Sequence, residues 1–387
     1  MYVNIEFLDE EPMENVITAL HYQIDKTIFI GFEDDIARYG KRSKNFLDKY
    51  CHVKEIKFID VPKNDLHGIL DKISTQVKEE KDAGNTIFFD ITGGEGLILM
   101  AFGMLAKDYG LPIHLYDVES DEMKEYRIGE GKLLSKCNEI QRKNKIKLTL
   151  DSYIAMWGAK INRKPEDNKD KLPIHDSDYM EVIQKVWPIL EAYGRDWNKH
   201  TTSMGHDLKV EGLNVNVTVN PKAIYKWDEF KTFLKKLNQA GAICGYSEPT
   251  AQNENKIQFR YPSVEMKRML LKSGNLFELH VYQEKKKKEG SLDCDMGVKI
   301  DWDGNVDNAG VYNEIDVLAL KGNILTFVSC KGGNMEGNAS LDPMYQLETI
   351  ASRFGGKYAR KILATRQKID GVYAERAEAM KIKLERY

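Results

Sequence analysis

Short apolar runs recur through the first third of the chain, separated by stretches whose apolar positions have helical spacing. Tyr2 to Phe7, Thr27 to Gly31, Val53 to Ile59, Thr86 to Asp90 and Ile113 to Tyr116 have the length and the β-branched or aromatic content of strands. Leu66 to Val77 and Glu95 to Tyr109 read as helices between them. This alternation predicts a mostly parallel sheet with crossover helices, a Rossmann-like α/β layer structure. Ligands of such sheets bind outside the carboxyl ends of the strands.

The pattern changes after about residue 140. Residues 141–175 are rich in Lys, Arg, Asn and Asp and read as an exposed connector. Helices are expected near Tyr179 to Tyr193 and Trp227 to Ala240, with short strands near Gly241 to Tyr246 and Lys256 to Tyr261, compatible with a winged element. A long helical pattern follows from Val264 to Tyr282, with Glu278 late in it. Strands are expected over Asp293 to Trp302, Tyr312 to Leu320 and Ile324 to Cys330, then a loop over Gly332 to Ser340 and a helix over Pro343 to Phe354. Ala374 to Leu384 reads as an amphipathic helix that covers the sheet or serves a dimer contact. The expected organisation is a domain over 1–140, a connector over 141–175 and a second α/β region over 176–387.

Composition narrows the function classes. With 387 residues, 42% hydrophobic and 30% charged, the chain is expected to fold as a soluble protein of two domains. Its net charge of -3 gives no global attraction to nucleic acid, so any basic surface is local. The run Lys285 to Lys288 is either such a patch or a solvated helix end. No run approaches a membrane span, and the expected location is the cytoplasm. Five scattered cysteines, Cys51, Cys137, Cys244, Cys294 and Cys330, show no zinc spacing and read as reduced thiols.

The clearest local motif is Asp90-Ile91-Thr92-Gly93-Gly94-Glu95-Gly96, at the junction of an expected strand and helix. Glycines let main-chain N–H groups approach an anion, and the helix start adds a favourable dipole. It is neither a dinucleotide fingerprint nor a Walker loop. Leu8, Asp9 and Glu10 follow the first strand and line the same edge. A strand, Thr-Gly-Gly and helix early in a Rossmann-like domain resembles the CARF family of CRISPR sensor domains, over about the first 140 residues. The resemblance implies a symmetric homodimer that cradles a cyclic oligoadenylate. Thr92, Gly93 and Gly94 fall on the ligand-contacting motif, with Leu8, Asp9, Glu10 and Glu95 beside them.

A second constellation lies towards the C-terminus. Glu314 and Asp316 are two apart and share a strand face, as do Ser329 and Lys331. Carboxylates converging beside a buried strand call for a cation, and oxygen donors favour Mg²⁺ or Mn²⁺. Such an ion activates water and stabilises phosphate charge, while Lys331 positions or deprotonates that water. Helix acid, strand acid and x-Lys strand in this order resemble the PD-(D/E)xK nuclease fold, over about residues 262–365. The resemblance places Glu278 as the helix acid, Asp316 as the central acid and Lys331 as the motif lysine. Ser329 departs from the usual acid, so Glu314 and the main-chain carbonyl of Cys330 are the candidates to complete a metal site.

The pair of domains resembles the CRISPR ancillary nucleases of type III systems. That resemblance implies activation by cyclic tetraadenylate and metal-dependent cutting of single-stranded DNA, single-stranded RNA or supercoiled plasmid DNA. Two other readings stand beside it. Arg195 and His200 fit the Arg-x4-His spacing of HEPN ribonucleases, which are all-helical and need no metal. A CARF-fused DNA-binding regulator would use the middle region as a wing and bind duplex without cutting.

Overall fold

The computed structural model describes residues 1–128, 133–134, 140–143, 148–165, 168, 170–208, 210–249, 255–272, 274–288, 293–301, 312–333, 335 and 341–387. Cys137, most of the 332–340 loop and parts of the 141–175 stretch lie outside these residues.

The first domain contains β1 (Tyr2–Phe7), β2 (Lys26–Gly31), β3 (Glu55–Asp60), β4 (Thr86–Asp90), β5 (Ile113–Asp117), β6 (Glu122–Tyr126) and β7 (Leu133–Leu134). Its helices include α1 (Ile17–His21), α2 (Glu33–Asp35), α3 (Lys41–Phe46), α4 (Leu66–Asp82) and α5 (Gly96–Tyr109). The strand order is β3-β2-β1-β4-β5-β6-β7, with β1 to β5 parallel and β6 and β7 antiparallel additions at one edge. The order reverses between β1 and β4, so the loops after these strands flank the switch-point crevice. The Rossmann-like expectation holds.

Alternation along each strand assigns its two faces. Val3, Ile5, Ile28, Ile30, Ile87 and Phe89 join Ile69, Ile73, Ile98 and Phe102 of α4 and α5 in one core. Phe29 and Phe88 point the other way, into a second core shared with the C-terminal region.

The stretch expected to be an exposed connector is largely built into the molecule. It carries α6 (Leu150–Met156) and β8 (Lys160–Ile161). Thr149 and Ser152 form a reciprocal capping box, and Leu150, Tyr153 and Ile154 are buried in the shared core. A middle unit follows, with α7 (Ser177–Tyr193), α8 (Asp196–Thr202), β9 (Val210–Glu211), β10 (Asn214–Thr218), α9 (Trp227–Ala240), β11 (Cys244–Ser247) and β12 (Lys256–Arg260). Its four strands form an antiparallel sheet in the order β11-β12-β10-β9.

The C-terminal region comprises α10 (Val264–Leu271), α11 (Asn275–Lys288), β13 (Asp293–Asp301), β14 (Tyr312–Lys321), β15 (Ile324–Lys331), α12 (Leu341–Gly355), β16 (Arg360–Thr365), α13 (Val372–Ala379) and β17 (Ile382–Arg386). Its sheet has the order β17-β16-β15-β14-β13-β8, antiparallel from β15 to β8 and parallel from β15 to β17. Val317 and Ala319 of β14 face the core of the middle unit, whereas Leu318 and Leu320 face the first domain. This sheet is therefore covered on both sides.

Three expectations are corrected here. The pattern from Val264 to Tyr282 is two helices, broken before Gly274, whose φ of +98° lies in the left-handed region. Glu278 is consequently in the first turn of α11, not late in a helix. The C-terminal amphipathic stretch ends as a helix at Ala379; Lys381 has φ +54° and Ile382 onward forms edge strand β17. The lysine run is not a uniform patch, because Lys285 is buried against Glu385 at 2.7 Å.

Candidate functional site

The candidate active site forms where β14 and β15 part. Their ladder runs from Lys321–Ile324 to Val317–Val328 and ends there. At the next position the Asp316 carboxylate takes over as acceptor. Its Oδ2 receives the Cys330 N–H at 2.6 Å and the Ser329 hydroxyl at 3.3 Å. Lys331 Nζ lies 3.7 Å from the same oxygen. A carboxylate thus caps the opening strand pair, and the motif lysine is held beside it.

On the other side of β14, Gly297 falls between the pairs Met296–Val317 and Val298–Ile315, opposite Asp316. Its φ is +57°, a conformation that favours glycine, so it leaves the ground next to Asp316 and Glu314 without a side chain. Only its place inside an alternating strand hints at this role in the sequence.

Glu278 approaches from the start of α11, where its N–H donates to Gly274 O at 3.0 Å. Burial pushes its carboxyl up to about 7; Asp316 and Glu314 push the same way, while Lys272 and Lys331 oppose. The structure therefore brings Glu278, Asp316, Glu314 and Lys331 into one electrostatic neighbourhood. Glu314 is exposed, and its Oε1 points towards Gly297. Among the described residues no three acidic, His or Cys groups are close enough to form a ready metal cluster.

The Thr-Gly-Gly loop sits at the switch point, as the motif implies. The Thr92 hydroxyl is engaged internally: it donates to Asp90 Oδ1 at 2.5 Å and accepts the Tyr116 N–H at 2.8 Å. Asp90 is buried, with its carboxyl raised by burial, and also receives the Thr18 hydroxyl. Asp9 ties the two loops together, since its Oδ2 accepts the Gly94 N–H at 3.2 Å and its Oδ1 accepts the Glu11 N–H at 3.0 Å. A Cβ on Gly93 would meet Glu14 Oε2 at 2.8 Å. Leu8 is buried, whereas Glu10 and Glu95 are exposed at the crevice.

The segment between β1 and α1 reaches the C-terminal region. Lys357 N–H donates to Glu11 Oε2 at 3.0 Å, and Tyr358 OH donates to Glu14 Oε1 at 2.6 Å. Burial pushes Glu11 up to about 7, against the opposing bond from Lys357. A second contact comes from the β14–β15 turn, where Asn323 meets His21 Nε2 at 3.0 Å and donates to Asp121 at 3.0 Å. The hairpin that carries Asp316 and Lys331 at its open end therefore plugs into the first domain at its closed end. None of these long-range partners was legible in the sequence.

Residues 265–385 match the Card1-like endonuclease domain. That Card1-like stretch contains Glu278, Glu314, Asp316, Ser329 and Lys331. Over the whole chain, the fold is similar to protein VC1899 from Vibrio cholerae, with a TM-score of 0.68 at 19% identity, covering 99% of this chain and 93% of that one. It is equally similar to Can2 from Sulfobacillus thermosulfidooxidans in complex with cyclic tetra-adenylate, with a TM-score of 0.68 at 15% identity and the same coverage. A type III CRISPR defence DNA nuclease activated by cyclic oligoadenylate aligns with a TM-score of 0.50 at 13% identity, over 94% of this chain and 45% of that one. No curated protein matches the sequence. The Card1-like match and the whole-chain likeness bear out the resemblance to CARF-type CRISPR ancillary nucleases; at these identities the structural likeness is one of fold.

The Arg195 and His200 pair is not brought together as a surface site. His200 is wholly buried, stacked on Phe233 with centroids 5.1 Å apart, and its Nε2 lies 3.4 Å from Glu229. Burial holds its pKa below the usual value. An imidazole enclosed by aromatic rings has no approach to a substrate hydroxyl. Cys51, Cys294 and Cys330 are buried and Cys244 is exposed, all as free thiols. No described helix is long and apolar enough to cross a membrane.

Proposed function

We propose that this chain is a cyclic-oligoadenylate-activated, metal-dependent endonuclease of CRISPR defence. The observation that carries the reading is the Card1-like hairpin β14–β15, with Asp316, Ser329 and Lys331 at one end and the sensor-like domain gripping the other. Cyclic tetraadenylate would sit at the switch-point crevice, against Leu8 to Glu10 and Thr92 to Glu95. Because the Thr92 hydroxyl already serves Asp90 and Tyr116, Thr92 contributes through loop shape, and the exposed edges of Glu10 and Glu95 offer the polar contacts.

The donor set fits Mg²⁺ or Mn²⁺. Asp316 and Glu314 both push the Glu278 carboxyl up, and a cation between the three relieves that crowding. A magnesium-like ion needs only one or two protein carboxylates, with waters and substrate oxygens for the rest. Glu278 and Asp316 would hold the ion. Glu314 and the Cys330 carbonyl, on the strand edge where Cys330 N–H meets Asp316, would assist. When bound, the ion supplies an activated water and charge for the scissile phosphate. Lys331 steers the attacking water and offsets negative charge. Ser329 keeps Asp316 oriented.

A homodimer suits the sensor. Met100 and Met104 lie one turn apart on α5 and are 51% and 43% exposed, on the helix that begins at the Thr-Gly-Gly loop. A second copy would cover them.

The test is cleavage of labelled single-stranded DNA, single-stranded RNA and plasmid, with and without cyclic tetraadenylate, in Mn²⁺ and in EDTA. The reading expects cutting that needs both, and at least a hundredfold loss in Asp316→Asn and Lys331→Ala with activator binding kept. Cutting that persists in EDTA would overturn it.

A further inference from the structure

Beside Lys331 lies a second cleft of about 600 Å³, between the middle unit and the end of the Card1-like sheet. Gly332 and Gly333, directly after Lys331, form one wall and Arg366 and Gln367 another; Arg195 and Asn198 close it from the middle unit. Strand register fixes the relation to the active site. Lys331 pairs with Thr365 in the parallel β15–β16 ladder, so Arg366 is the next residue along, level with Gly332.

The two arginines of this cleft stand apart from the ion pairs that hold the chain's other charges. Among the described residues neither Arg195 nor Arg366 makes an ion pair, although Arg127, Arg142 and Arg163 each close on a carboxylate. Arg366 is half-buried, and burial holds its pKa below the usual value, with Glu191 offsetting this only through space. A guanidinium half withdrawn from water, with its one carboxylate neighbour acting only at a distance, is stabilised when an anion makes direct contact with it. Asn198 and Gln367 add neutral donors, and the two glycines let a backbone come close.

We propose that Arg195 and Arg366 form a phosphate subsite that grips the nucleic-acid strand next to the bond being cut. The subsite rests on the nuclease reading above and deepens it by naming the groups that hold the substrate backbone. Guanidinium forks match phosphate oxygens in pairs, and contacts to phosphate position a strand without reading its sequence. The middle unit, which supplies Arg195, thereby becomes one jaw of the substrate cleft. Arg195 acts in this way, not with His200.

The test uses the full chain carrying Asp316→Asn, chosen to prevent cutting, and a labelled single-stranded oligonucleotide followed by fluorescence anisotropy in EDTA. Adding Arg195→Ala or Arg366→Ala should weaken binding about five- to thirtyfold, and flatten the dependence of log affinity on log salt by about one per arginine. The loss should be similar for oligonucleotides of different sequence, and Arg366→Lys should recover part of it. In the otherwise wild-type chain, KM should rise more than kcat falls. Unchanged affinity and salt slope in both variants, with wild-type cutting intact, would overturn the subsite and leave the nuclease reading standing. Binding that depends on both arginines, in a chain that cuts nothing under any condition, would retain the subsite and sink the nuclease reading. A chain that neither binds nor cuts sinks both.

Discussion

Glu14 accepts a hydrogen bond of 2.6 Å from Tyr358, and its side chain also stands where a Cβ on Gly93 would fall. One buried carboxylate thus touches the Thr-Gly-Gly loop of the first domain and the turn that leads into β16. β16 pairs with β15 along its whole length, up to Thr365 opposite Lys331. Loop, carboxylate, turn and strand make one continuous set of contacts between the crevice and the motif lysine.

Tyr358→Phe removes the hydroxyl and leaves the ring in place. The expected result is activator binding within a few-fold of wild type, with a smaller ratio of stimulated to unstimulated cleavage. The stability loss should be about 1.5–3 kcal/mol, the usual range for a hydrogen bond to a charged group. Binding and cleavage measured on the same preparation separate the two effects. An unchanged stimulation ratio would mean that the signal takes another route.

Gly356 precedes that turn with φ +56°, and a Cβ there would land on the Glu11 carboxylate. Gly356→Ala combines left-handed strain with displacement of a buried acid that already accepts the Lys357 N–H. A destabilisation of about 2–4 kcal/mol is expected, read as a lowered thermal midpoint. Glu11→Gln in the same background should recover little, because the amide occupies the same space.

How much of this was legible follows from which interactions are local. The central parallel strands were readable because burial on both faces forces apolar runs such as Thr86 to Asp90, and the edge strand β3 because Ile56, Phe58 and Ile59 stand out among charged neighbours. Asp316 and Lys331 were readable because polar residues interrupt otherwise apolar strands. Gly274 beside Asn275 is the local signal of the helix break, and apolar periodicity alone hides it because Leu270, Leu276 and Leu279 keep helical spacing across it. The capping box of Thr149 and Ser152 at α6 lacks the Glu or Gln of the usual pattern, so the helix inside the stretch read as a connector left no clear mark in the sequence. The contacts of Glu11 with Lys357 and of His21 with Asn323 join residues more than 300 apart in the chain, and no local pattern encodes such pairs. The spacing of Arg195 to His200 is what stands out in the sequence, whereas its place in the fold comes from the cleft it shares with Arg366.

The methionine pair on α5 gives a test of assembly. Met100→Glu with Met104→Glu places two charges on the exposed strip without touching the buried face of Ile98, Ala101 and Phe102. The expected outcome is a halved mass by light scattering and loss of activator-dependent cutting, with the fold kept by circular dichroism. A dimer of undiminished strength would move the interface elsewhere.

The raised pKa of Glu278 gives a pH signature that needs no cleavage. Its folded value of about 7 exceeds the ordinary glutamate value of 4.5, so between these limits the folded chain holds the proton more tightly than the unfolded chain. Stability from this group is therefore present at low pH and is lost as pH rises through about 7. In EDTA at pH 8 the wild-type chain must carry an ionised, part-buried Glu278 facing Asp316. Glu278→Gln removes that charge and should raise stability there on the order of 2–3 kcal/mol, with little difference at pH 5. Glu11 titrates in the same window, but it is common to both chains and cancels in the comparison. Added Mn²⁺ should reverse the order at pH 8, because only the wild type regains a ligand pair for the ion. Thermal midpoints of both chains at pH 5 and 8, in EDTA and in Mn²⁺, decide the matter. Parallel pH profiles in EDTA would show that Glu278 is not the carboxyl withdrawn from water beside Asp316 and Glu314 that the site requires.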